Sequence, residues 1–297
     1  MGEISASLVK ELREKTDAPM MECKKALSES NGDLIKAEEL LRVKLGSKAG
    51  KTASRITAEG AISVALKGDK AVMVEVNCET DFVAKNPDFL NFCDSLSSAI
   101  VNISENISLD ELPDTPIENG KTVEEVRLAL IGKIGENISI RRFISRSAVG
   151  SFFSYLHGKK IGVLLDLIGG SEELGKDISM HIAAMKPKAV SSEDVDKDLV
   201  ETERRVAREK AVESGKPQNI MERMVDGAVN KYLKEVSLYG QIFVKADDGK
   251  QTIEALLKKY DASVSKFDLF IVGEGLEKKE ENFAAEVAAT QAAAKAR

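Results

Sequence analysis

Apolar residues recur every three or four positions along the first 45 residues, which is the spacing of helices with one buried face. Thr16–Pro19 interrupts this pattern, Asn31 and Gly32 are typical of a turn, and Asp33 can cap the helix that follows. The pattern therefore predicts three short helices, the second over Met20–Ser28. Because three helices of this size bury little apolar surface, we expect a module that docks on something larger.

The pattern changes after this module. Gly46–Arg55 is small, polar and basic, and is predicted to be a linker. The segments 60–66 and 71–76 then alternate apolar and polar positions on either side of a turn, which predicts a β-hairpin. Large apolar residues at helical spacing predict a helix over Pro87–Val101.

A second hairpin followed by a helix occurs further along the chain. Its strands are predicted at 150–158 and 161–167, and its helix over Ser171–Met185. The glycine that opens the first strand, Gly60, recurs 90 residues later as Gly150. Two copies of one hairpin-and-helix unit predict a duplicated α+β core with antiparallel sheets.

Charged segments with a narrow apolar stripe follow the second unit. Ser191–Asp194 can cap a helix whose apolar positions run from Val195 to Val206. Ser214–Pro217 predicts a turn, and Ile220 begins a second amphipathic stretch. We therefore expect an antiparallel coiled-coil hairpin that projects from the core.

Together these patterns predict an α+β protein in five parts. Strand patterns at 241–244 and 267–272 return the chain to the second core unit, and the Ala-rich end is predicted to be helical. The predicted parts are a helical docking module with its linker at 1–55, a first core subdomain at 56–147, a second at 148–186 and 234–281, the hairpin at 187–233 and a C-terminal helix at 282–297.

The composition favours a protein partner. The chain has 297 residues, with 43 Lys and Arg against 49 Asp and Glu, giving a formal net charge of −6. Direct nucleic-acid binding needs concentrated positive charge, so we do not expect it. No apolar stretch reaches the roughly 18 residues of a membrane span, and no signal-peptide pattern opens the chain. Three cysteines fit neither a disulfide framework nor a zinc spacing, which indicates reduced thiols and a cytoplasmic protein.

Catalytic motifs are largely missing from the sequence. His157 and His181 are the only histidines, and neither has a second ligand at metal spacing. Gly158 and the two lysines after it lack the rest of a phosphate-binding loop. No metal or cofactor site is predicted. An enzyme would have to use carboxylates alone, and we expect a binding protein instead.

The loop after the strand pattern at 71–76 has an unusual composition. Polar residues, up to Thr80 and Asp81, are followed there by the large aromatic Phe82. Two interpretations of this stretch are open. Thr80 or Asp81 caps the next helix while Phe82 packs on the core, or Phe82 is exposed beside a carboxylate as an anchor for a partner. Arg141, Arg142 and Arg146 are interpreted as a solvated, salt-bridged stretch.

Five segments, in order along the chain, resemble the elongation factor Ts family, the exchange factors of the GTPase elongation factor Tu. They are LREKTDAPMMECKKAL at 12–27, EVNCETDFVAK at 75–85, KIGENI at 133–138, HG at 157–158 and EVSL at 235–238. The chain departs from the family at Asp17 and Pro19, where glycines are common, and at Asn282, where aspartate is common.

This resemblance implies a fold and a function. The fold is a ubiquitin-associated (UBA)-like three-helix module, a duplicated α+β core, a coiled-coil hairpin and a C-terminal helix. The function is binding of elongation factor Tu–GDP and release of GDP, so that GTP can enter, without enzyme chemistry, cofactor or membrane. A homodimer and a 2:2 complex with the partner both stay open.

The resemblance also implies site residues, position by position. The residues that would displace Mg²⁺ from the partner are Thr80, Asp81, Phe82 and Val83. The residues that would bind the partner elsewhere are Arg13, Met20 and Met21 in the N-terminal module and Ile134, Gly135 and His157 in the core.

Overall fold

The computed structural model describes residues 4–16, 18–103, 107–118 and 120–276. Within these ranges the protein is α+β, with helices packed on two antiparallel three-stranded sheets. The expected C-terminal helix at 282–297 lies outside the described residues, as do Asp17 and Asn282. No helix in the described ranges is both long enough and apolar enough to cross a bilayer.

The three predicted N-terminal helices are present as α1 (Ala6–Thr16), α2 (Met20–Glu29) and α3 (Leu34–Thr52). Asp33 caps α3 as expected, and its side chain accepts hydrogen bonds from two backbone N–H groups of the first turn. The helices share one small core, whose buried members are Val9, Leu12, Ala18, Cys23, Ala26, Leu27, Ala37 and Leu41.

The linker predicted at Gly46–Arg55 is wrong for most of its length, because α3 continues as a helix to Thr52. Its glycines weaken the helix, but packing against the core outweighs that cost. Ala49 is buried in the core of the first sheet, and the guanidinium of Arg42 pairs with the carboxylate of Glu125. The N-terminal module is therefore fastened along the core by its own third helix.

The first core unit confirms the predicted hairpin and helix. Its elements are β1 (Glu59–Lys67), β2 (Lys70–Cys78), α4 (Pro87–Val101), the short strands β3 (Pro116–Glu118) and β4 (Lys121–Thr122), α5 (Val123–Ile134) and β5 (Ile138–Ser147). The sheet order is β1-β2-β5. Because side chains alternate along a strand, Val72, Val74 and Val76 face the helices, whereas Ala71 and Met73 face the second sheet.

The sequence pattern does not predict β5. Its arginines are salt-bridged, as interpreted, but they do not form a solvated stretch, because their side chains are partly buried. A bulge in β5 opposite Glu75 interrupts the alternation of side chains. Two consecutive arginines therefore reach the fully buried carboxylate of Glu75, with Arg141 Nη1 at 3.0 Å and Arg142 Nε at 2.6 Å. The backbone N–H of Gly273 donates to the same carboxylate at 2.9 Å. This network joins the first sheet to the segment that follows the second.

The second core unit repeats the first in outline. Its strands β6 (Ser151–His157), β7 (Ile161–Ile168) and β8 (Ser263–Ile271) have the order β6-β7-β8, and α6 (Glu172–Met185) follows the central strand. Both central strands also carry an acid at a register shift, Glu75 in β2 and Asp166 in β7. The connection from the central strand to its helix differs: residues 79–86 link β2 to α4, and residues 169–171 link β7 to α6.

A pair of helices, α7 (Lys197–Glu213) and α8 (Gln218–Val236), lies between α6 and the last strand. Ala207, Ala211 and Val225 form its small buried seam. The cap predicted at Ser191–Asp194 is wrong, because Asp196 caps α7 and the side chain of Asp194 instead closes a turn back on Ser191.

The strand predicted at 241–244 is also wrong, since only a single β-bridge joins Ile242 to Thr252. The segment packs on the helical side of the second sheet, with Gln241 and Phe243 buried. It leads into α9 (Ile253–Lys259), which the sequence pattern does not predict. The strand-like pattern here comes from a loop with alternate residues buried, and without a neighbouring strand to pair with in the described ranges it does not form a strand.

The two sheets pack face to face through a shared cluster that includes Ile62, Met73, Leu164 and Phe270. Gly162 of β7 permits this close approach, because a Cβ added there would lie 2.5 Å from Ile62 Cγ2. A guanidinium–carboxylate pair between Arg146 and Asp268 closes one edge at 3.0 Å.

We expect Gly162→Ala to lower the free energy of unfolding by about 1–3 kcal/mol, because the added methyl overpacks the sheet interface. Urea unfolding followed by circular dichroism measures the change. Gly227→Ala is the matched control: Gly227 lies within α8, and a Cβ added at this position would have no neighbouring atom within 4 Å. It should raise helix stability by up to about 1 kcal/mol, and equal effects of the two changes would contradict the packing argument.

Candidate functional site

The loop between β2 and α4 presents an exposed aromatic. Phe82 is 81% exposed, whereas the next residue, Val83, is buried in the core of the first unit. Asn86 caps α4 by accepting a hydrogen bond from the Asp88 N–H at 2.8 Å. Of the two interpretations left open by the sequence, the one in which Phe82 packs on the core is therefore wrong. We call Thr80–Val83 the tip segment.

Asp81 stands beside Phe82 and is ionised at neutral pH. Its Oδ2 accepts a hydrogen bond from Lys85 Nζ at 2.8 Å; the side chain of Lys85 is exposed and that of Asp81 is half-buried. This hydrogen bond and the charge of Lys85 hold the pKa of Asp81 below its usual value, and Lys160 adds to the effect. The tip segment thus combines a large apolar surface with a negative charge.

Thr80 faces inward, towards the loop that follows α5. Its hydroxyl donates to Glu136 Oε1 at 2.6 Å, and its backbone N–H donates to Glu136 Oε2 at 3.0 Å. Gly135, just before this carboxylate, ends α5 in the left-handed conformation at φ 88°. The structure therefore brings together the tip segment and two other predicted contact residues, Ile134 and Gly135.

His157 lies at the same end of the molecule as the tip segment. It is exposed at the end of β6, with Nδ1 3.3 Å from the hydroxyl of Tyr155. Its turn is fixed to the first sheet by an ion pair between Lys160 and Glu59, and Glu59 is opposite Cys78 in the β1–β2 ladder. Since Cys78 directly precedes the tip loop, the predicted core contacts occupy one end of the paired sheets.

The N-terminal contact residues occupy a separate surface of the molecule. Met20 and Met21 are 57% and 63% exposed at the start of α2, and Arg13 is exposed on α1. The end of α1 approaches the core, since Thr16 and Lys133 line one cavity of about 220 Å³. Because Lys133 directly precedes Ile134, the end of α1 lies near the predicted core contacts.

Cys78 is buried, and burial together with the charge of Glu136 raises the pKa of its thiol to about 12, so it stays protonated. Among the residues that the structure describes, no group of three or more histidine, cysteine, aspartate or glutamate side chains could hold a metal ion.

Sequence reasoning missed the residues that hold the tip segment. The carboxylate of Glu136 accepts a hydrogen bond from the backbone N–H of Glu79, 57 positions earlier in the chain. Local sequence patterns do not predict a pairing over such a distance. Glu136 lies within one of the five family-like segments, but its side chain had no predicted part. Its place directly after a helix-ending glycine is the one feature that could have directed attention to it.

Comparison with known proteins gives a consistent result. The family model described as Elongation factor TS matches residues 79–274. Elongation factor Ts of Burkholderia cenocepacia (strain J2315) and that of Burkholderia vietnamiensis (strain G4) are each 59% identical over 297 residues, covering 99% of both chains. Elongation factor Ts of Burkholderia multivorans is 58% identical over 295 residues, again covering 99% of both chains. Because these relatives align over nearly the whole length and the family model spans the core from the tip loop onwards, this chain belongs to the elongation factor Ts family.

Proposed function

We propose that this chain is the guanine-nucleotide exchange factor of elongation factor Tu. It promotes release of GDP by inserting Phe82 and Asp81 into the GTPase near its Mg²⁺ site. The observation that carries the proposal is the exposure of Phe82 on a loop fixed at both ends. Aromatic anchors dominate protein interfaces, and a loop fixed at both ends presents such an anchor in one direction.

Binding of Mg²⁺ by the partner is especially sensitive to an inserted side chain, which acts as a wedge. The ion requires near-octahedral geometry with ligand distances of about 2.0–2.1 Å, so a small displacement of its ligands sharply weakens its binding. In the proposed mechanism Phe82 displaces the elements around the partner's Mg²⁺ site, and the ionised Asp81 perturbs the polar contacts there. Thr80 and Val83 contribute by fixing the tip segment. Without Mg²⁺ the charge of the diphosphate is poorly compensated, and GDP leaves.

The proposed factor changes the rate of exchange without selecting its direction. If binding of the factor lowers the affinity for GDP, binding of GDP must lower the affinity for the factor by the same ratio. The concentrations of GDP and GTP therefore decide which nucleotide enters the emptied site. No covalent bond is made or broken, so the chain is not an enzyme in this proposal and needs no cofactor.

The remaining predicted residues supply affinity in this proposal. Arg13, Met20 and Met21 grip the nucleotide domain of the partner, since exposed methionines adapt well to an apolar surface. Ile134, Gly135 and His157 add contacts beside the tip segment.

Several features of architecture and setting also belong to the proposal. We infer a UBA-like docking module at 1–55, core subdomains at 56–147 and at 148–186 with 234–281, and a coiled-coil hairpin at 187–233. The factor acts in the cytoplasm, with no part for membrane or nucleic acid. Whether it assembles as a homodimer or a 2:2 complex is decided by the mass of the complex in solution.

The direct test is release of fluorescent GDP from elongation factor Tu in excess unlabelled nucleotide, with and without this protein. We expect acceleration that saturates as the factor concentration rises. Elongation factor Tu alone gives the basal rate. An unchanged rate with a folded sample of this protein and a matched partner would overturn the proposed function.

A further inference from the structure

One carboxylate fixes the backbone immediately ahead of the exposed pair. Glu136 Oε2 accepts hydrogen bonds from the backbone N–H groups of Glu79 and Thr80 at 3.1 and 3.0 Å, and its Oε1 accepts from the hydroxyl of Thr80 at 2.6 Å. Both oxygens of one side chain are thus used on two consecutive residues. Hydrogen bonds to an ionised acceptor are stronger than neutral ones, so this is a firm attachment.

The attachment is reciprocal. Glu79 Oε1 accepts a hydrogen bond from the backbone N–H of Asn137 at 2.6 Å and pairs with Arg55 Nη1 at 3.2 Å. Asn137 in turn donates from Nδ2 to the carbonyl of Arg55 at 3.1 Å. Each of the two loops therefore holds the backbone of the other through a glutamate, and the segment after α3 completes the connection.

The tip segment itself is a single tight turn between two fixed points. Thr80 is the first point, and Val83, buried in the core, is the second. Between them the carbonyl of Thr80 accepts from the Ala84 N–H and that of Phe82 from the Lys85 N–H, both at 3.2 Å. Phe82 projects from this turn into solvent, so its direction depends on how firmly Thr80 is held.

We propose that Glu136 is a positioning residue for nucleotide exchange: it holds Thr80 so that Phe82 and Asp81 meet the GTPase already oriented. This inference rests on the proposed function. If the tip segment became ordered only on insertion, part of the binding energy would be spent on that ordering. A pre-organised tip segment leaves this energy available to displace the partner's elements. Glu136 needs no contact with the partner for this part.

The test compares three variants in the GDP-release assay at saturating factor. Glu136→Ala removes all three hydrogen bonds and should lower the maximal release rate about tenfold or more, because small misplacements of a reacting group are costly. Glu136→Gln should recover most of the rate, since its amide oxygen can accept from both N–H groups and its NH2 can donate to the hydroxyl of Thr80. Glu254→Ala, an exposed carboxylate on α9, is the control and should match the wild type.

A double-mutant cycle separates positioning from a general loss of structure. If Glu136 acts through Phe82, Glu136→Ala should add little to the defect of Phe82→Ala. Should Glu136→Ala fail to fold, Thr80→Val and Thr80→Ser replace it, and only the valine, which lacks the hydroxyl, should be slow and non-additive with Phe82→Ala.

Other outcomes would overturn the inference. A Glu136→Ala protein as fast as the wild type would show that the attachment is irrelevant to exchange. Additive defects would show that Glu136 does not act through Phe82, and a Glu136→Gln protein as slow as the alanine variant would show that its charge matters instead of its geometry. In these three cases wild-type acceleration persists, so the proposed function survives. A wild-type protein that fails to accelerate release overturns both.

Discussion

Phe82→Ala will lower the maximal rate of GDP release from elongation factor Tu by roughly 30-fold, the equivalent of about 2 kcal/mol for a strong interface anchor. The side chain is 81% exposed, so its loss removes little from the folded state of the free protein. Stability and exchange should therefore separate in this variant. Stopped-flow release of fluorescent GDP and thermal unfolding of the same samples measure the two effects.

The matched control for this variant is Val149→Ala. Val149 is also strongly exposed, at 76%, but it lies in the connection between β5 and β6. It should leave both the release rate and the unfolding temperature unchanged. A Phe82→Ala protein that accelerates release as well as the wild type would rule out the wedge. A protein that also melts several degrees lower would instead mean that Phe82 supports the fold.

Glu75→Gln will lower the free energy of unfolding by about 3 kcal/mol, because it leaves two arginines without their shared buried carboxylate. Arg141 and Arg142 are themselves partly exposed, which places the effect at the lower end for a broken buried ion pair. Denaturant unfolding followed by circular dichroism is suitable, since the chain contains no tryptophan. Glu274→Gln removes an exposed partner of Arg142 and should cost less than about 1 kcal/mol.

The same network predicts a dependence on pH with a definite sign. Burial opposes ionisation of Glu75, but the Gly273 N–H and the guanidinium groups of Arg142 and Arg141 outweigh it and hold its pKa below the ordinary value. A carboxylate with a depressed pKa stabilises the fold above its unfolded pKa, about 4.3, and loses that contribution as the pH falls through the folded value. The difference between wild type and Glu75→Gln should therefore shrink in acid. A difference that stays constant down to about pH 2, well below that unfolded pKa, would contradict the assignment.

The fold was predictable wherever local pattern and tertiary packing agree. The hairpins of both units and α4 follow from alternation and helical spacing, and the structure confirms them. β5 was not predictable, because the bulge that brings both arginines to Glu75 breaks the alternation by which a strand is identified. The helical part of Gly46–Arg55 was missed because its support comes from a distant element, not from its own residues.

The candidate site shows the same division. The sequence singled out the tip segment, because an aromatic follows a carboxylate in a loop and the family segments include it, but it left open whether Phe82 is exposed or packs on the core. The supporting members of the site were not predictable, since Glu79 and Glu136 are ordinary surface-type residues until the fold places them against each other. The tip segment itself contains one residue of each kind: Phe82 is exposed to solvent, and its neighbour Val83 is buried and supports the turn.

The connections from the central strand to its helix differ in length between the two core units. In the second unit three residues, 169–171, are enough to carry the chain from a central strand to its helix, whereas the first unit uses the eight residues 79–86. The second copy thus shows that three residues are enough for this crossing. Within the longer crossing Val83 and Ala84 are buried in the core and Asn86 caps α4, so mutation can reshape only its exposed residues while the sheet beneath stays intact. In the proposed function the two copies of one unit therefore have different parts: the first presents the exposed Phe82, and the second supports it through the shared sheet interface.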